Sequence, residues 1–235
     1  YLPRSHRIDV IDTSTLKTPH LINQLFQDTK GILEHQANLL IKSDSSISIY
    51  EQSDIGDINE ISSTDISFGH EYNRFKTERH YFSTYYDNGY VITRFNIANP
   101  YSIYETPKTV RISNPGENTC LNEMGVINSH LIMIDPCSNR IHVFNSFDTD
   151  DFSYSNSIDF KNDYFGVAIA NNLIYLTSYK KLTTLALTED QDIEVINTID
   201  ITWDPRYTAN AHIQAVENNL LVSSANYLYL FDLTE

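Results

Sequence analysis

Ala170-Asn171-Asn172-Leu173-Ile174-Tyr175 reads as the end of one strand, a tight polar turn and the start of a second, apolar strand. Three other stretches align with it without gaps: Gln36-Ala37-Asn38-Leu39-Leu40-Ile41, Ile127-Asn128-Ser129-His130-Leu131-Ile132 and Glu217-Asn218-Asn219-Leu220-Leu221-Val222. A weaker copy, Glu78-Arg79-His80-Tyr81-Phe82, keeps the apolar run and loses the Asn turn. A third short strand follows each hairpin: Ile47–Tyr50, Val91–Phe95, Ile141–Phe144, Leu182–Leu185 and Leu228–Asp232. An extra copy of it, Arg7–Asp12, opens the chain without a hairpin of its own. A fourth strand follows most of these after a polar loop: Leu21–Phe26, Ile58–Ile66, Thr106–Ile112, Phe152–Asp159 and Ile193–Asp200. Ile, Val, Thr, Tyr and Phe dominate these runs, as half-buried sheet requires.

Four strands per unit, repeated at roughly 40 to 50 residues, is the signature of a β-propeller. A β-sandwich would also use many short strands, but it has no reason to repeat one hairpin. The sequence therefore predicts an all-β chain of four-stranded antiparallel blades, with about four whole blades between Gly31 and Asp200 and partial blades at both ends. Residues 1–235 form a single propeller domain in this reading, part of a larger ring of six or more blades, because open sheet edges invite association. Only 7 glycines are present, so Asn and Asp must supply many of the turn positions with positive φ.

Asp and Glu number 31 against 16 Lys and Arg, a formal charge of −15 that argues against a nucleic-acid-binding surface. No run of about 18 apolar residues exists to span a membrane as a helix. Phosphate loops of the Gly-Lys-Ser/Thr type, Gly-x-Gly-x-x-Gly fingerprints and Gly-x-Ser-x-Gly elbows are all absent, which removes the usual nucleotide and hydrolase signals. No cofactor is expected. The sequence opens at Tyr1, leaving open an upstream region or a removed signal peptide.

Arg7-Ile8-Asp9-Val10-Ile11-Asp12-Thr13-Ser14, with Pro19 downstream, resembles the LVIVD-repeat propeller pattern of a strand ending in Asp followed by a Ser/Asn-Pro turn. Phe95-Asn96-Ile97-Ala98-Asn99-Pro100 resembles it again, whereas Ile49-Tyr50-Glu51, Val143-Phe144-Asn145 and Leu185-Ala186-Leu187 depart from the Asp. The resemblance implies a repeat protein that is often extracytoplasmic, and no shared catalytic residues.

Two cysteines bear on the compartment. With Asn128-Ser129 as the hairpin loop, Cys120 falls opposite Cys137 on a non-hydrogen-bonded pair, where side chains approach most closely and a disulfide fits. Two free thiols are the alternative, since Pro136 or a bulge would shift the register. A bridge would point to an oxidising, extracytoplasmic or surface compartment.

Candidate sites are of two kinds. His70, Glu71, Glu123 and His212 lie at or near the first strand of separate units, which in a propeller lines the central channel; they are weak candidates for a metal or catalytic site, with solvated channel residues as the plainer reading. Asp148-Thr149-Asp150-Asp151 lacks the Gly and Glu of a calcium loop and reads as an acidic turn. The third unit is rich in tyrosine: Tyr81, Tyr85, Tyr86 and Tyr90 surround Asp87-Asn88-Gly89, and Tyr101 and Tyr104 follow. Tyr85, Tyr86, Asp87, Asn88, Tyr101 and Tyr104 form the expected binding patch for a protein or glycan ligand, against core packing between blades as the ordinary role. The function expected is a binding or scaffold propeller without enzymatic activity; the alternative is a lyase- or lactonase-type enzyme with a channel metal.

Overall fold

The computed structural model of the protein describes residues 2–4, 7–12, 20–25, 31–36, 38–43, 46–53, 57–66, 71–86, 89–113, 123–135, 138–145, 152–160, 164, 166–178, 181–201, 212–216, 218–224 and 227–233. Among these the chain is all-β, and its small antiparallel sheets are β-propeller blades. A three-stranded sheet comes first, β1 (Leu2–Arg4), β2 (Arg7–Asp12) and β3 (His20–Leu25). Four-stranded sheets follow in chain order. The second holds β4 (Gly31–His35), β5 (Asn38–Lys42), β6 (Ser46–Gln52) and β7 (Ile58–Asp65). The third holds β8 (Glu71–Lys76), β9 (His80–Tyr86), β10 (Gly89–Asn96) and β11 (Tyr104–Ser113). The fourth holds β12 (Glu123–Ile127), β13 (His130–Asp135), β14 (Arg140–Asn145) and β15 (Ser153–Asp159), and the fifth β16 (Gly166–Ala170), β17 (Leu173–Thr177), β18 (Lys181–Leu187) and β19 (Ile193–Asp200). The sixth is three-stranded, β20 (His212–Val216), β21 (Asn219–Ser224) and β22 (Tyr227–Asp232).

The expected arrangement of whole blades between partial ones is what forms, with two adjustments. β1 pairs with β2 through Leu2 opposite Asp9, so Arg7–Asp12 does have a preceding strand. The hairpins close with His35 opposite Asn38, Ile127 opposite His130, Ala170 opposite Leu173 and Val216 opposite Asn219. The gap-free alignment is therefore one residue out between the first and last copies and the middle two. A one-residue slip turns every side chain to the other face, so the turns and not the apolar runs set the true equivalence. Positive φ at Asn128, Ser129, Asn171 and Asn172 is the tight-hairpin geometry that Asn tolerates in place of Gly. In the third sheet the tight turn is replaced by a longer one, with Thr77 Oγ1 accepting the backbone N–H of His80 at 3.0 Å.

A second repeat is invisible in composition. Where third and fourth strands pair, the ladder shifts between Val10/Ile11, Ile49/Tyr50, Val143/Phe144 and Thr184/Leu185, each time between the fourth and fifth residues of the third strand. The extra residue on the outer strand is Ile22, Ile61, Ser155 or Ile196, skipped by the register. Such a bulge bends the outer strand and adds twist, as a blade needs.

By contact the chain divides into Tyr1–Tyr86 with Ile92–Thr109, and Asp87–Val91 with Val110–Glu235. In the first unit, Leu40, Ile47 and Ile49 of the second sheet pack with Tyr81 and Phe95 of the third. In the second unit, Ile132, Ile141 and Val143 of the fourth sheet pack with Val167, Ile174 and Leu176 of the fifth, and Leu182 of the fifth with Leu220 and Val222 of the sixth. β13 and β14 are buried almost end to end, while the outer β15 and β19 alternate or face water. Burial of these aliphatic faces on neighbouring sheets, at roughly 25 cal/mol per Å², is what holds one blade to the next.

The inner strands approach so closely that one position has no room for a side chain. A Cβ at Gly125 of β12 would lie 2.9 Å from three carbons of Ile169 on β16. Gly125→Ala is expected to destabilise the protein by about 1–3 kcal/mol through overpacking, and adding Ile169→Ala, which removes two of the three opposing carbons but keeps the Cβ, should return only part of that loss. Urea unfolding midpoints of the single and double variants measure both effects.

Candidate functional site

The loop joining β10 to β11 is held from several directions. Ile97 N donates to Arg79 O at 2.8 Å, and Ala98 N donates to Asn96 Oδ1 at 2.9 Å. Tyr101 N donates to Asn99 Oδ1 at 3.1 Å, and Ser102 N to Asn99 O at 3.0 Å. From the neighbouring sheet, Ser62 Oγ donates to Pro100 O at 2.5 Å, and Gln36 Nε2 lies 3.5 Å from Ala98 O and 3.4 Å from Glu78 O. Asn, Pro and Ser residues build this loop because their side chains or fixed φ satisfy turn backbone that no ladder reaches. Tyr101, at its tip, leaves 66% of its surface in water. A large aromatic side chain on a fully braced loop is an anchor that loses little entropy on binding.

The other members of the expected patch lie elsewhere. Tyr85, half-buried, and Tyr86 end β9, at the hairpin into β10. Tyr101 lies beyond the far end of β10, and Tyr104 begins β11 there. β10 spans about 26 Å at roughly 3.3 Å per residue, so the two groups occupy opposite ends of the sheet and do not form one patch. Asp87 and Asn88 lie outside the described residues. Tyr81 and Tyr90 are fully buried, the ordinary packing role.

Of the channel candidates, Glu71, Glu123 and His212 are each the first residue of the first strand of a sheet, the same relative position in β8, β12 and β20. His70 lies outside the described residues. Glu123 is half-buried, and burial pushes its carboxyl up from the usual 4.5 to about 7. Among the described residues no three His, Cys, Asp or Glu side chains gather as metal ligands. Cys120, Cys137 and Asp148–Asp151 fall outside the described residues; the hairpin register between β12 and β13 runs from Ile127 opposite His130 to Glu123 opposite Ile134.

Two polar arrangements were not foreseen. Gln191, at φ 60° in the turn between β18 and β19, reaches back to the fourth sheet: its Nε2 donates to Asn145 Oδ1 at 2.9 Å and lies 3.3 Å from His130 Nε2, and its Oε1 accepts from Ser155 Oγ. His130 Nδ1 is 2.9 Å from Asn128 O and so carries the proton, leaving Nε2 to accept from Gln191. Asn172 Oδ1 accepts from Asn128 N at 3.3 Å, a second polar tie between the same two sheets. The other arrangement is buried. Asp135 accepts from Tyr90 OH at 3.2 Å and from Ser138 N at 3.2 Å, while His142, 1% exposed, packs edge-on to Tyr90 and leaves its Nε2 without a hydrogen bond. A signal existed: His142 interrupts the apolar run Ile141–Phe144 in a strand buried on both faces.

No family model matches the chain, and no curated protein matches it. The LVIVD likeness thus remains one of motif. Solved structures do match. A protein from Lactobacillus plantarum aligns at TM-score 0.65 and 17% identity over 93% of this chain and 72% of its own. A proposed 6-phosphogluconolactonase from Bacteroides fragilis aligns at TM-score 0.62 and 12% identity over 96% of this chain and 73% of its own. Saccharomyces cerevisiae Sqt1 aligns at TM-score 0.64 and 10% identity over 98% of this chain and 66% of its own. At such identities the likeness establishes the β-propeller fold, which hosts many unrelated functions.

Proposed function

We propose that the protein is a binding propeller that recognises a protein or glycan through the Tyr101 loop. The braced loop with its one large side chain in water carries this reading. A formal charge of −15 favours neutral or basic ligands, whose encounter it accelerates at low salt. An extracytoplasmic or surface location goes with it if Cys120 and Cys137 are bridged.

The test is binding to immobilised glycans and to neutral and basic peptides. Tyr101→Ala should weaken the strongest binding at least about ten-fold while changing stability by no more than about 0.5 kcal/mol, as an exposed position allows. Unchanged affinity would remove the loop as the site.

Glu123 supports a second reading, a channel enzyme of the lactonase or lyase type. A carboxyl held near 7 is suited to general acid–base work. Stoichiometric Ca²⁺, Mn²⁺, Fe or Zn²⁺ in the purified protein, or lactone hydrolysis abolished by Glu123→Gln, would favour it over the binding reading.

A further inference from the structure

The backbone of the loop between β10 and β11 is already hydrogen-bonded, and that narrows the class of ligand it can hold. Ile97, Ala98, Tyr101 and Ser102 all donate their N–H groups within the loop or its sheet, and Pro100 has none to give. Pro100 O accepts from Ser62 of the second sheet, and Gln36 lies against Ala98 O. An extended peptide finds no row of open donors there, as strand addition requires. Ile103, the loop's apolar residue beyond the tip, is buried with Tyr81 and Phe95, so it gives an amphipathic helix nothing to pack on. The side chains that reach water at the tip are Asn99, Tyr101 and Ser102, none of them charged. Glu78 and Arg79, whose carbonyls meet Gln36 and Ile97, are exposed and opposite in charge, so they favour neither sign of ion. Asn99 Oδ1 is occupied by Tyr101 N, which leaves the amide its Nδ2 donor to present outward. The second and third sheets, which hold the loop, both have four strands.

We propose, resting on the reading of the Tyr101 loop as the binding site, that its ligand is a neutral β-linked glycan: a pyranose unit stacks on the Tyr101 ring, and Asn99 Nδ2 and the Ser102 hydroxyl bond that unit's hydroxyl groups. The face of an aromatic ring is the negative side of its quadrupole. A pyranose whose hydroxyls are all equatorial turns its C–H bonds, the positive side of its own surface, towards such a face. Sugar hydroxyls both donate and accept, so an amide N–H and a serine hydroxyl match them without desolvating a charge. Carboxylated or sulfated glycans are disfavoured, because the chain carries a formal charge of −15. One exposed ring stacks one sugar unit, so recognition rests on the hydroxyl pattern of that unit.

The probes are cellotetraose and chitotetraose as neutral chains, β-1,4-linked tetraglucuronate as their anionic counterpart, and an immobilised library of neutral and basic peptides, each titrated against the whole chain. Saturable binding of at least one neutral tetrasaccharide is expected, with tetraglucuronate at least about ten-fold weaker. Tyr101→Ala should weaken the neutral sugar at least about ten-fold and Tyr101→Phe should nearly restore it, since stacking needs only the ring. Asn99→Asp keeps an oxygen for Tyr101 N but removes the Nδ2 donor, so it should weaken binding at least about five-fold at an unchanged urea midpoint. Wild-type affinity in Asn99→Asp, or equal affinity for tetraglucuronate, would overturn the proposal. Peptide binding that depends on Tyr101, with neither tetrasaccharide bound, would overturn it too while leaving the loop as a site. No binding that depends on Tyr101, to any of these probes, would overturn both the glycan and the loop.

Discussion

His142→Phe is expected to flatten the acid side of the stability profile by about 3 kcal/mol between pH 6.5 and pH 4. Burial drives the His142 imidazole down from the usual 6.5 to about 4, outweighing the buried Asp135 carboxylate and Asp159, which pull it up, and acting with Arg140, which pushes it further down. The unfolded chain therefore binds a proton in this window that the folded chain refuses. Stability from the neutral, buried ring is fully present above pH 6.5 and is lost as pH falls towards 4, at about 1.4 kcal/mol per pH unit. Glu123 tilts the other way, because its raised value makes the folded state hold a proton between 4.5 and about 7 that the unfolded chain releases. The wild-type profile alone would mix the two. The difference between wild-type and His142→Phe urea midpoints, taken at each pH, cancels Glu123 and isolates the histidine. Two parallel profiles would mean that the ring is hydrated or partnered in solution.

The two arrangements also mark where sequence reading stops. The fourth strand that the sequence predicts over Ile193–Asp200 forms to the residue, because apolar content with flanking turn residues fixes a strand's existence. The alignment of the hairpins is one residue out because the apolar runs after them look alike, and only the closing pairs His35 with Asn38 and Val216 with Asn219 separate the first and last copies from Ala170 with Leu173. The tyrosine patch divided for a reason of parity: Tyr85 and Tyr101 flank one antiparallel strand, and an odd number of strands between two loops puts them at opposite ends. That much could have been counted. The Gln191 tie depends on which sheet stands beside which, so no local window contains it.

Tyr81→Ala should be the most damaging single change in the tyrosine-rich sheet, at about 3–5 kcal/mol, although Tyr101→Ala in the loop between its β10 and β11 should be nearly silent for stability. Tyr81 is fully buried and packs among Leu40, Ile47 and Ile49 of the second sheet, with its ring 6.3 Å from that of Phe95. Truncation leaves a cavity between two sheets, neither of which can collapse without moving its own ladder. The loss should therefore be shared: amide exchange should accelerate in β5 and β6 as well as in β9 and β10, because a blade's apolar face is stable only while its neighbour covers it. Acceleration confined to β9 and β10 would show that the second sheet holds its structure independently, and the account of blade-to-blade burial as the stabilising interaction would fail in this unit.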